Sequence, residues 1–138
     1  MQQKLNDQVS RDEDNIWEFV YRKLHVESEY KNICEELWED YIKSNGKSWT
    51  VKDLNDHYET NMMNKLHNSF MADHKILALF KLLKYPFTEE IMTLLDKRTA
   101  PKMKVKNGCL YDYRMSDYYY AKIADRSRRY FDKYWNRR

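Results

Sequence analysis

Five basic residues near the end of the chain, Lys122, Arg126, Arg129, Lys133 and Arg137, recur at intervals of three and four. On a helix turning about 100° per residue they fall within an arc of roughly 80°. Cations in such a line suit one chemistry above others. They can follow the phosphate backbone of a nucleic acid, each contact releasing condensed counterions. Contacts of this kind position a duplex without reading its sequence. The plainer reading is a solvated face on a helix that docks by its other side. That other side holds Ile123, Ser127, Tyr130, Phe131 and Tyr134, so the segment has an aromatic face and a basic face.

A second candidate surface is aromatic. Tyr118, Tyr119, Tyr120, Tyr130, Tyr134 and Trp135 crowd the same region, with Tyr111 and Tyr113 just before it. Tyr and Trp bury a large area at low entropic cost and keep a polar handle, which enriches them at interfaces. A protein-binding or homodimer surface is one expectation. Rings that fill the gap between the last helix and the segment before it are the other.

The charge distribution favours an anionic partner for this end of the chain. Residues 1–93 hold 12 Lys/Arg and 17 Asp/Glu, a net −5, whereas residues 94–138 hold 13 and 5, a net +8. Such asymmetry suggests a polyanion or an acidic protein, although a basic end with no specific partner would look the same.

Catalytic and metal chemistry find no comparable support. The histidines, His25, His57, His67 and His74, form no HExxH pattern. Glu35-Glu36 and Glu89-Glu90 stand at expected helix starts, where carboxylates favour the helix dipole. Only two glycines occur, too few for a phosphate loop or a nucleophile elbow. Cys34 and Cys109 form no CxxC and read as reduced thiols, with a single disulfide as the alternative. We therefore expect no enzyme, no cofactor, no metal site and no small-molecule substrate. No apolar run approaches the roughly 20 residues that span a bilayer. The first residues lack the apolar stretch of a signal peptide, so the expectation is an intracellular domain with no membrane association.

The elements that must carry these groups are mainly helical, and 138 residues fit one domain. Residues 1–9 are polar and predict a flexible N-terminus. Ser10-Arg11-Asp12-Glu13 reads as a capping box ahead of a helix bearing Ile16, Phe19, Val20 and Leu24. A second helix from near Ile33 carries Leu37, Trp38, Tyr41 and Ile42 and stops at Ser44-Asn45-Gly46. A third, from Ser48 or Thr50, carries Val51, Leu54, Tyr58 and Met62. A fourth runs from about Ala72 to Leu83 and is ended by Pro86. Thr88-Glu89-Glu90 caps a fifth, and Pro101 follows it. The period then changes to two over Lys102-Met103-Lys104-Val105-Lys106, and Asn107-Gly108 suits a two-residue type I′ turn. A small β-hairpin near 102–113 is expected, then an amphipathic basic C-terminal helix over 115–138, packed on or extending the domain. The fold class is thus mainly α, with about six helices.

The third helix could also enter a groove of DNA. With Leu54, Tyr58 and Met62 buried, its exposed side offers Lys52, Asp53, Asn55, Asp56 and Glu59. Three acids against one lysine oppose approach to phosphates. A solvated or protein-facing surface is the favoured reading there.

Trp17, Trp38 and Tyr58, one ring per helix and about 20 residues apart, resemble the ring-spaced core of Myb/SANT-like three-helix modules. A longer series resembles the SPK domain, a nematode-expanded family found alongside SET, PHD and protein-kinase domains. It runs through Asn15-Ile16-Trp17-Glu18-Phe19-Val20, Leu37-Trp38-Glu39-Asp40-Tyr41, Ser48-Trp49-Thr50-Val51-Lys52-Asp53-Leu54, His74-Lys75-Ile76-Leu77-Ala78-Leu79-Phe80 and Pro86-Phe87-Thr88-Glu89-Glu90-Ile91. The likeness spans residues 14–114, within an SPK-like helical domain drawn at 10–114. It implies a nuclear module whose partner is double-stranded DNA or a chromatin protein. It transfers no catalytic residue. The alternative is a protein-interaction or homodimerisation adaptor that uses the Tyr-rich end and the acidic third helix.

Overall fold

The computed structural model describes residues 2–45 and 49–124, with side chains from residue 12 onward. The chain is mainly helical with one small antiparallel hairpin, as the hydrophobic periodicity predicts. It divides into two compact units, Met1–Tyr85 and Pro86–Arg138.

The first unit is built from four helices. α1 (Gln2–Tyr21) widens at its end into a π turn over Arg22–Val26, where the Glu27 N–H donates to the Arg22 carbonyl at 2.8 Å. The helix begins well before the expected capping box, so Ser10 lies inside it and not at its start. The reason is local: residues 2–10 contain no Gly or Pro, and Gln, Lys and Leu are good helix formers. α2 (Glu35–Asn45) starts two residues later than expected, with both glutamates in its first turn. Asn45 closes it by donating from Nδ2 to the Tyr41 carbonyl at 2.9 Å. α3 (Val51–His57) is capped by Thr50, whose Oγ1 accepts the Asp53 N–H at 3.1 Å. It continues through a π turn (Tyr58–Met62) and a 3₁₀ segment (Met63–Asn68). α4 (Asp73–Leu83) ends on Lys84 in the left-handed conformation, two residues ahead of Pro86.

α1 packs against α2 and α4, and α2 against α3. Ile16, Trp17, Val20, Leu37, Trp38, Tyr41, Leu54, Tyr58, Met62 and Leu66 are buried. Tyr58 stands at the meeting of three helices. Its ring lies 5.7 Å from Trp17, near edge-on, and 5.2 Å from Trp38. Such ring pairs add about 0.5–1.5 kcal/mol beyond the area they bury.

In the second unit α5 (Glu89–Thr99) is capped by Thr88, whose Oγ1 accepts the Ile91 N–H at 3.3 Å. It stops at Ala100, with φ 48°, just before Pro101. β1 (Lys102–Lys106) and β2 (Cys109–Arg114) pair antiparallel across Asn107-Gly108, whose φ values of 55° and 76° are those of a type I′ turn. The tip is tied to the start of the unit: the Phe87 N–H donates to the Gly108 carbonyl at 2.8 Å, and Pro86 bridges to Cys109. Residues 117–124 are helical. Ser116 caps them, its Oγ accepting the Tyr119 N–H at 3.1 Å. Phe87, Ile91, Leu95, Pro101, Leu110 and Met115 are buried here among the described residues.

Candidate nucleic-acid interface

The expected site residues divide between described and undescribed positions. Lys122 is exposed on the helix over 117–124. Tyr118 and Tyr120 are also exposed, at 76% and 45%, while Tyr119 is half-buried with its ring edge-on to Tyr120 at 6.0 Å. Arg126, Arg129, Lys133, Arg137, Tyr130, Tyr134 and Trp135 lie outside the described residues.

A basic surface that the helical reading passed over lies on the hairpin. Lys102, Lys104 and Lys106 alternate along β1 and are all exposed, while Met103 between them is half-buried. Across the ladder Lys102 stands opposite Arg114, Lys104 opposite Asp112, and Lys106 opposite Cys109. The intervening pairs, Met103 with Tyr113 and Val105 with Leu110, belong to the other face, where Leu110 is fully buried. A register shift between Lys104 and Val105 leaves Tyr111 as the extra residue of a β-bulge. The face therefore carries four cations and one carboxylate. The signal for it was present in the sequence: the period of two that predicts the strand also places three ammonium groups on one side of it.

These cations differ from those of the first unit in having few counter-charges. In the first unit Lys23 lies 2.8 Å from Glu29, 3.5 Å from Glu27 and 3.8 Å from Asp40. Its bond to Glu29 holds the ammonium pKa above the usual lysine value. Arg22 meets Glu27 at 3.0 Å, and Lys75 meets Glu18 at 2.8 Å. On the hairpin Arg114 meets Asp117 at 3.6 Å, between side chains 74% and 94% exposed. An ion pair so open to water is worth little. Lys102 and Arg114 also flank a hollow of about 260 Å³ at the open end of the hairpin, beside Ser116.

The third helix is arranged as a packing element. Leu54, Tyr58 and Met62 are buried, as their spacing predicts. Asn55 is a correction, since it does not stand free on the exposed side. It is half-buried, accepting from Trp38 Nε1 at 2.9 Å and donating to Glu59 at 3.3 Å. The amide on that face suited to reading a base edge is thereby occupied by the core tryptophan. His57 is held at both nitrogens. Asn61 Nδ2 donates to Nδ1 at 3.1 Å, which leaves Nε2–H to donate to Glu13 at 2.9 Å. That pair joins α1 to α3.

The remaining polar groups offer little organised chemistry. A cavity of about 580 Å³ lies beside α1, with Glu18, Arg22 and Lys75 on its wall, but these are the ion-paired groups described above. Cys34 and Cys109 are half-buried thiols that form no disulfide. Among the described residues no group of three or more His, Cys, Asp or Glu is placed to hold a metal ion. No described helix is long and apolar enough to cross a membrane. A scan of protein-family models matches none to this chain, and a search of curated proteins finds none similar to it.

Proposed function

We propose that the chain is a non-catalytic nuclear binding module that associates with DNA or chromatin through its basic C-terminal unit. One observation carries this reading: charge and structure divide together. The unit Pro86–Arg138 holds 13 Lys/Arg and 7 Asp/Glu, a net +6, whereas Met1–Tyr85 holds 12 and 15, a net −3. The positive unit also displays its cations, with Lys97, Arg98, Lys102, Lys104, Lys106, Arg114 and Lys122 all exposed. A concentrated positive field of this sort attracts polyanions over a Debye length of about 10 Å. The meeting of Trp17, Trp38 and Tyr58 in one core agrees with the Myb/SANT-like likeness, and the SPK likeness supplies the nuclear setting.

The stripe Lys122, Arg126, Arg129, Lys133 and Arg137, which its spacing alone assigns to one helix face, provides the electrostatic attraction, with contacts to phosphate and little sequence selection. The paired reversal Arg126→Glu/Arg129→Glu tests this by fluorescence anisotropy on a mixed-sequence DNA duplex. A clear loss of affinity supports the stripe. Unchanged affinity removes it.

A second reading is favoured by the exposure of Tyr118 and Tyr120, joined by Tyr111 at 50%. Exposed rings at this density suit a protein partner or a second copy of the chain. Light scattering that finds a strict monomer, together with no protein recovered in pull-downs from nuclear extract, would remove it.

A further inference from the structure

We infer that the β-hairpin is a phosphate-binding ribbon for duplex nucleic acid, with Lys102, Lys104, Lys106 and Arg114 as its contacting groups. The inference rests on the reading of the C-terminal unit as DNA-associated, and it names a surface that the helix stripe does not include.

The first argument is geometric. Alternate residues of a strand advance by about 6.8 Å, so the three lysines span about 14 Å in a line. Each step equals the axial rise of about two nucleotides on one strand of a duplex. A two-stranded ribbon is also of a width that the major groove admits. Lysine acts as a hydrated point charge on a flexible stem, suited to phosphate contact more than to two-pronged recognition of a base.

The second argument is energetic. Lys102 and Arg114 face each other directly across the ladder, and like charges so placed destabilise a strand pair. Among the described residues no carboxylate is paired with Lys102, Lys104 or Lys106, and Asp112, opposite Lys104, is the one acid on this face. The fold therefore holds a net positive charge on this face, four cations against Asp112. An anion with regularly spaced charges offsets that repulsion, and duplex phosphate supplies one at every nucleotide whatever the sequence, whereas a polypeptide does so only where its sequence is acidic.

The third argument is rigidity. The Phe87–Gly108 hydrogen bond and the Pro86–Cys109 bridge hold the tip, and buried Leu110 holds the inner face. The cations are thus displayed on an ordered support, which lowers the ordering cost of binding.

The test compares three variants of the full chain with the wild type on a mixed-sequence DNA duplex, across a series of salt concentrations. In Lys102→Gln/Lys104→Gln/Lys106→Gln we expect affinity to fall about tenfold or more near 50 mM salt. The slope of log K against log salt should become shallower by about 2.7. The Lys102→Arg/Lys104→Arg/Lys106→Arg variant keeps the charge and should keep the binding. Lys31→Gln/Lys43→Gln/Lys52→Gln removes as much charge from exposed positions of the first unit and should change little. Circular dichroism and the melting temperature confirm that each variant is folded. If the wild type binds and the hairpin variant binds equally well, the ribbon is overturned while the DNA reading stands. An equal loss in the first-unit control overturns it too, because net charge alone would then explain the effect. Loss of binding to poly-glutamate with DNA binding intact would mark an acidic protein site and overturn it as well. No binding by the wild type overturns both readings together.

Discussion

Lys102 and Arg114 stand opposite each other at the open end of the hairpin, both exposed and both positive. A strand pair selected for stability alone would place opposite charges there. Lys102→Glu does so, and it should stabilise the fold by about 0.2–1 kcal/mol, an effect that fades at high salt. The same change should weaken duplex binding. Urea denaturation and anisotropy on one protein sample read both effects, and a variant that gains affinity as it gains stability would separate the hairpin from binding.

Tyr58 is the ring on which three helices converge, and its hydroxyl is buried with no hydrogen-bond partner among the described residues. Two substitutions should therefore move stability in opposite directions. Tyr58→Ala removes the ring between Trp17 and Trp38 and should cost about 3–5 kcal/mol. Tyr58→Phe keeps the ring and deletes the unpaired hydroxyl, and should stabilise by about 1 kcal/mol. Chemical denaturation resolves the two. A large loss in Tyr58→Phe would reveal a partner for that hydroxyl.

His74 sets a pH dependence. Burial, and then the nearby Lys75 charge, hold its pKa below the ordinary 6.5. The unfolded chain thus binds the proton more readily. His74 contributes stability that is present above about 6.5 and lost as pH falls through its lowered folded value. Asp14 acts in the opposite sense: burial raises its carboxyl from 3.8, so its contribution is present below that value and lost as pH rises through the raised one. His74→Phe keeps a ring beside Tyr21, 6.4 Å away, and removes the histidine. The slope of stability against pH just below 6.5 should flatten in that variant, and an unchanged slope would assign the dependence elsewhere.

Gly108 is needed for its backbone, not for space. Its φ is +76°, and a Cβ added there would meet nothing within 4 Å. Gly108→Ala should cost about 1–2 kcal/mol through the left-handed conformation alone. Gly108→Asn should cost less, because asparagine tolerates that region. Melting temperatures distinguish the two, and equal losses would point to a different turn.

Local chemistry was legible in the sequence where the interacting groups are close in the chain. Thr50 and Thr88 cap helices whose donors lie three residues on, and Asn107-Gly108 sets its own turn. The apolar spacing of Leu54, Tyr58 and Met62 gave the buried side of the third helix. Ser10 misled because a cap forms only where the preceding chain leaves the helix, and nothing before it does. Asn55 was out of reach because its partner, Trp38, lies 17 residues away on another helix. The basic hairpin face was half legible. Period two aligns Lys102, Lys104 and Lys106, but the placement of Arg114 opposite Lys102 depends on a register that includes a bulge at Tyr111. The π turns after α1 and α3 left no signature that the apolar spacing distinguishes from a continuing α-helix.

The most direct measurement is the anisotropy of a labelled mixed-sequence duplex titrated with wild-type protein at about 50 and about 200 mM salt. Micromolar binding at the lower salt that weakens steeply at the higher is the predicted result, because a basic unit that neutralises several phosphates must release several counterions. No binding at the lower salt would contradict a DNA-associated role and leave the exposed tyrosines as the surface to pursue.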